Sequence, residues 1–242
     1  LPHRPKAVFE PRKSPVQARS AASVKAILEA TVQVLLSAGK ERLTTTNVAQ
    51  RAGVSVGTLY QYFPNKKALL QAVLKDHLSQ VADAVEQACR EQAGQSPRPM
   101  VSALISAFLK AKLKDARTSA ALYSVSSDVD GARIAQQMGT RLNKAMTRML
   151  ASALPPLATE PLLVATMLQG LITGVSRRIL ESNVHGDELD RLCNELIFMA
   201  CAYVDASSLV IASPRSSRKT VSAASLNPRI EVDRPRVRLM PV

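Results

Sequence analysis

The chain has no tryptophan, and aromatic residues of every kind make up only 3% of it. Sheets built on aromatic and β-branched cross-strand pairs need more than that. With 46% hydrophobic content rich in Ala and Leu, the scarcity points to packed helices. Cysteine is nearly as rare. Cys89, Cys193 and Cys201 fall in helical patterns with no CxxC or metal-ligand spacing, which speaks against a zinc site and for reduced, partly buried thiols in a cytoplasmic protein. His77 and His185 stand without Cys or carboxylate partners in the sequence, so no metal site is expected. There is no Walker loop, no Gly-rich dinucleotide turn, no GxSxG and no HExxH. No catalytic residue, no enzyme activity and no cofactor are therefore expected. Long apolar runs are missing too. The longest uncharged stretch, Pro161–Ser176, contains Thr166, Gln169 and Thr173 and falls short of the ~20 residues that span a bilayer. The first residues are rich in Pro, Arg and Lys without an apolar core, unlike a signal peptide.

Acidic residues are the last shortage: 19 against 32 Lys and Arg, a net charge of +13. Where the deficit lies decides its meaning. Residues 1–20 carry net +4, residues 21–75 net +5 and residues 208–242 net +5, while residues 76–207 carry net −1. A charge concentrated at one end and in the tails fits phosphate binding there better than a uniformly basic surface.

The positive end also holds the most informative stretch, LTTTNVAQRAGVSVGTLYQYFPNKK from Leu43 to Lys67. A short amphipathic helix from Thr45 to Ala52 runs into Gly53, which can take the positive φ that lets one helix stop and the next leave steeply. Ser55 can accept a hydrogen bond from a free amide and open the second helix. Two short helices joined this tightly form a helix-turn-helix, whose second helix suits a DNA major groove. Val48, Ala49, Val54, Leu59 and Phe63 supply its inside, while Thr58, Tyr60, Gln61, Tyr62 and Lys66 offer donors to phosphates or base edges.

Thr44, Thr45, Val48, Ala49, Ala52, Gly53, Val54, Ser55, Gly57, Thr58, Leu59, Tyr60, Tyr62, Phe63 and Lys66 together resemble the DNA-binding domain of the tetracycline-repressor (TetR) family, over about Ser23–Leu78. The resemblance implies that Tyr60 and Tyr62 clamp the DNA backbone, as their hydroxyls and rings also allow. Lys66, in the first turn of the following helix, and Thr45, at the start of the earlier one, lie where free amides favour a phosphate. Base reading would fall to Thr46, Val56, Gly57, Thr58 and Gln61. Some family members carry a long polar residue where this chain has Thr46 or Val56, so contact with thymine methyls gains weight here. Arg51 reads equally as a phosphate contact or a solvated charge.

Around the motif, residues 1–20 have four prolines and no periodicity and read as a disordered basic arm. A first helix starts near Ser23 and ends at Gly39. The fourth helix is capped by Asn65 and runs to about Gln92, with a loop at 93–99. Helices follow over Met100–Asp115, Arg117–Val125, Ala132–Leu154, Pro161–Glu181 and Gly186–Ser207. The Ser-, Pro- and Arg-rich tail at 208–242 reads as disordered. The expected architecture is all-α. It comprises a helix-turn-helix DNA-binding domain (21–78) and a larger helical effector-binding and dimerisation domain (79–207).

Two further sites are expected in the larger domain. Leu163, Met167, Gly170 and Gly174 form one stripe and Leu192, Leu196, Met199 and Tyr203 another. They face either their own core or, as the resemblance implies, a second copy in a four-helix bundle. A homodimer suits DNA, because two helix-turn-helix units read two half-sites of a palindromic operator. Similar proteins hold small, mostly apolar effectors between helices beyond the DNA module. Leu104, Phe108, Tyr123, Met138, Met146 and Gln169 are candidates for such a pocket or simply core residues. The resulting expectation is a ligand-responsive transcriptional repressor that acts as a homodimer on double-stranded DNA, without a membrane or metal. The alternative is a helical DNA-binding or interaction protein with no effector.

Overall fold

A computed structural model of the chain describes residues 15–182, Val184 and 186–208, with side chains from residue 19. Among these residues every regular element is helical: α1 (Pro15–Arg42), α2 (Thr45–Ala52), α3 (Val56–Tyr62), α4 (Lys66–Glu91), α5 (Pro97–Leu113), α6 (Ala116–Val125), a 3₁₀ turn (Ser126–Val129), α7 (Gly131–Ala151), α8 (Pro161–Ser182) and α9 (Gly186–Ser208). The fold is all-α. The arm at 1–14 and the tail at 209–242 lie outside the described residues.

The helix boundaries follow from local chemistry. α1 opens at Pro15, earlier than the Ser23 that periodicity suggests. Gln17–Ala22 form helix readily but carry no apolar stripe, so periodicity is silent there, and proline suits a first helical position. The basic arm is shortened accordingly, because residues 15–20 are helical. At Gly39 the helix breaks (φ 75°, ψ 170°), a conformation that glycine takes without strain, and a last turn carries Lys40–Arg42. Between Arg19 and Arg42 this helix is long and apolar enough, by length and composition, to cross a membrane. Its apolar side is used inside the fold: Ile27, Ala30, Val34 and Leu35 are buried against Val48, Leu59 and Leu69.

Two hydrophobic cores result. The first, under α1–α3 and the start of α4, also takes in four residues from far along the chain: Leu122, Val125, Val129 and Ile134. The second collects Val85 from α4, Leu104 and Phe108 from α5, Met146 and Leu150 from α7, Leu168 and Ile172 from α8, and Leu196 and Val204 from α9. α4 runs through both. In its last third Arg141 of α7 donates to Glu86 at 2.6 and 2.7 Å and to Asp83 at 2.6 Å. This guanidinium holds the Glu86 carboxyl below its usual range and binds α7 along the side of α4.

Candidate nucleic-acid interface

The helix-turn-helix is assembled by caps that the sequence supplies in order. The Thr44 hydroxyl accepts from the Asn47 amide at 3.1 Å and starts α2. Gly53 ends it in the left-handed region (φ 67°), with the Val54 amide donating back to the Ala49 carbonyl at 3.0 Å. Ser55 opens α3 by accepting from the Thr58 amide at 2.9 Å, and its hydroxyl lies 2.8 Å from that of Thr58. Asn65 caps α4 through the Ala68 amide at 2.8 Å. Satisfied ends make such short helices stable where isolated ones are not.

The caps leave one face of α3 to solvent. Val56, Gly57, Tyr60 and Gln61 are exposed, Tyr60 by 48%, and Thr46 is exposed on α2. Leu59, fully buried, anchors the opposite face. Tyr60 is tied across the motif, its hydroxyl 3.1 Å from Thr45 Oγ1. Both are thus already oriented as hydroxyl donors or acceptors at one edge. Tyr62 is placed differently from Tyr60, because its ring is partly buried against the first core. Thr58 is half-buried, with its hydroxyl engaged by Ser55. Lys66 is half-buried too, and its ammonium donates to the Lys40 carbonyl at 2.7 Å. Arg51 donates to Gln33 on α1 at 2.7 Å, so its guanidinium is partly committed within the protein.

One group in contact with Lys66 went unnoticed in the sequence. Lys40 pairs with Asp128 of the 3₁₀ turn, Nζ to Oδ2 at 2.5 Å, and the bond to Asp128 raises the lysine's pKa above its ordinary value. A separation of 88 positions hides such a pair from any local pattern. Gln71 of α4 donates to the Val129 carbonyl of the same turn at 3.0 Å.

Three of the six expected pocket residues come together and the others lie apart. Leu104, Phe108 and Met146 sit within the second core, whereas Tyr123 lies on the surface of α6 with the Arg177 guanidinium 5.4 Å from its ring centroid. Met138 receives a weak bond from Ser79 at 3.7 Å, and Gln169 accepts from Asn143 at 3.0 Å. Gln169 and Asn143 line an open groove of about 560 Å³ between α7 and α8, with Lys144 and Arg148 beside them.

On the expected pairing surface, Leu163 and Met167 are 51% and 55% exposed. Gly170 and Gly174 are exposed too, with nothing within 4 Å of an added Cβ. The α9 stripe needs correcting. Leu196 is fully buried in its own core, Tyr203 packs against that core and Leu192 is half-buried. The outward apolar residues of α9 are Phe198, 61% exposed, and Met199, 43% exposed.

Comparison with known proteins fits this architecture. Residues 27–73 match the family of bacterial regulatory proteins, tetR family, and residues 96–203 match the tetracyclin repressor-like C-terminal domain. The HTH-type transcriptional repressor KstR of Rhodococcus jostii is 27% identical over 168 residues, covering 66% of this chain and 76% of KstR. The HTH-type transcriptional regulator BetI of Escherichia coli is 39% identical over 59 residues, which is 24% of this chain and 30% of BetI. The transcriptional regulator FadR of Bacillus subtilis, solved in complex with stearoyl-CoA, superposes with a TM-score of 0.57 at 18% identity, covering 74% of this chain and 97% of FadR. With its helix-turn-helix and its larger helical part both matched, the chain belongs to the TetR family of DNA-binding transcriptional regulators.

Proposed function

We propose that the protein is a sequence-specific repressor that reads a palindromic operator as a homodimer and is released from it by a small, mostly apolar effector. The observation that carries the DNA half is the exposed row Val56, Gly57, Tyr60 and Gln61 on α3, with Thr46 beside it, on a head of net +5. In this reading Tyr60, Tyr62, Thr45 and Lys66 hold the backbone, which positions but does not specify. Thr46, Val56, Gly57, Thr58 and Gln61 meet base edges, and Ser55 keeps its hydroxyl at the rim of the contact. A protein that acts on operator DNA works in the cytoplasm.

The pairing surface is read as Leu163, Met167, Gly170 and Gly174 of α8 with Phe198 and Met199 of α9. A contiguous exposed apolar face marks an interaction site, and the two glycines let helices of two copies approach closely. For the effector, support comes from a regulator of the same fold that holds a ligand with a long apolar chain. Such a ligand would enter between α4, α5, α7 and α8 by displacing side chains around Leu104, Phe108 and Met146. Because α4 starts at Lys66 and ends in the second core, movement at its far end would swing the recognition helices off their spacing. The close packing of Leu104 and Met146, both fully buried, favours a second reading in which the protein regulates without an effector.

Selection of binding sites from a random duplex pool tests the proposal. A two-fold motif with half-sites about one helical turn apart is expected. Recovery of no motif, or affinities equal for selected and scrambled duplexes, would leave only charge-driven binding.

A further inference from the structure

We infer that the Lys40–Asp128 ion pair is a positioning contact for DNA binding, through which the 3₁₀ turn Ser126–Val129 sets the direction of Lys66. The inference rests on the proposed clamp role of Lys66.

The break at Gly39 sets Lys40, Glu41 and Arg42 apart from the body of α1 as a short last turn. The Lys40 carbonyl accepts from Lys66 at 2.7 Å. Lysine is a point charge on a long flexible stem, so this bond decides where the Lys66 ammonium rests at the mouth of the helix-turn-helix. Lys40 is held in turn by its own ammonium on Asp128 at 2.5 Å. Asp128 does not float. The next residue, Val129, is 1% exposed in the first core, and its carbonyl accepts from Gln71 of α4 at 3.0 Å. Gly131 then packs so closely on Ser126 that the turn has little freedom of its own. The contacts form a chain: the held turn, Asp128, the Lys40 side chain, and the last turn of α1 whose carbonyl meets Lys66.

Two further observations give the pair a role beyond decoration. Among the described residues it is the one ion pair that joins α1–α3 to α5–α9. Both partners are also well exposed, 42% and 44%, and pairs so exposed add little to stability. What is left is direction. A carboxylate paired with Lys40 on a DNA-binding head opposes DNA by plain repulsion, so its net effect on DNA binding is favourable only if it orients.

That conflict of signs makes the test sharp. Asp128→Asn is made in the full chain, and affinities for the selected operator and for a scrambled duplex of equal length are measured by anisotropy across a salt series. If the pair positions Lys66, operator affinity falls about two- to five-fold, the most that an exposed ion pair can supply. Scrambled-duplex affinity falls by a like factor, because a phosphate contact serves every sequence, and Asp128→Glu restores both. In a Lys66→Ala background Asp128→Asn causes no further loss. Operator affinity that is unchanged or raised by Asp128→Asn overturns the inference, as does a loss that persists without Lys66. If Lys66→Ala alone leaves operator affinity intact, the clamp reading fails and the inference with it. A weakened Lys66→Ala beside a silent Asp128→Asn removes the inference alone.

Discussion

Gly131, the first residue of α7, offers a direct test of how tightly the 3₁₀ turn is held. A Cβ built there would lie 2.6 Å from the Ser126 carbonyl oxygen, 2.7 Å from Ser126 Cβ and 2.9 Å from Ser126 Cα. None of these atoms can rotate away, so Gly131→Ala must push either α7 or the turn, and the turn carries the buried Val129. Overpacking of this kind costs about 1–3 kcal/mol. Little returns through the helix propensity of alanine, which counts in helix interiors and not at the first residue of α7. The loss of about 1–3 kcal/mol corresponds to a melting temperature roughly 2–12 °C lower at this chain length. Gly139→Ala serves as the control. Its Cβ would meet only the Gln169 Nε2 at 2.7 Å, the far end of a flexible side chain, so that variant is expected to melt at or slightly above the parent. Circular dichroism melts of the three proteins decide the matter. A Gly131→Ala protein as stable as the parent, or a Gly139→Ala protein that loses more, would refute the reasoning.

Tyr60→Phe, Tyr62→Phe and Lys66→Ala are each expected to weaken binding to all duplexes alike, with Lys66→Ala lowering the salt slope by about 1; unchanged affinity in all three would discard the assigned docking. Gly170→Leu is expected to convert dimer to monomer in sedimentation without loss of helix signal, because nothing within the chain lies within 4 Å of an added Cβ there. A variant still dimeric would move the pairing surface elsewhere. Burial first, and then the nearby Lys112 charge, hold the His77 imidazole below its ordinary 6.5. The unfolded chain therefore takes up this proton first. The stability it contributes is complete above pH 6.5 and is lost as pH falls through the lower folded value. Urea midpoints measured against pH should fall less steeply in this range for His77→Gln than for the parent, and an equal slope would contradict the assignment.

The motif could be read from sequence because its determinants are local. Thr44, Gly53, Ser55 and Asn65 each act within four residues of their own position, and each caps or turns as its side chain dictates. The facing of α9 could not be read this way. Leu192, Leu196, Phe198 and Met199 spread apolar side chains around most of the helix, so several stripes fit the period equally well. Only packing against α5 and α8 shows that Leu196 points in and Phe198 out. The start of α1 was hidden for the opposite reason, since Gln17–Ala22 carry no apolar signal at all. Lys40 and Asp128 meet only because the whole chain folds back on itself.

Leu122, Val125, Val129 and Ile134 are at most 4% exposed, and all four belong to the core beneath the helix-turn-helix. A fragment cut to the family's N-terminal match at 27–73 would lack every one of them. At about 1.5–3 kcal/mol for each buried aliphatic side chain, the loss is comparable with the 5–15 kcal/mol that keeps a typical domain folded. The head is therefore not a detachable reader, and heat is expected to melt it together with the helices that complete it. A chimera that transplants this DNA specificity onto another regulator must carry the segment from Ala116 to Ile134 along with it.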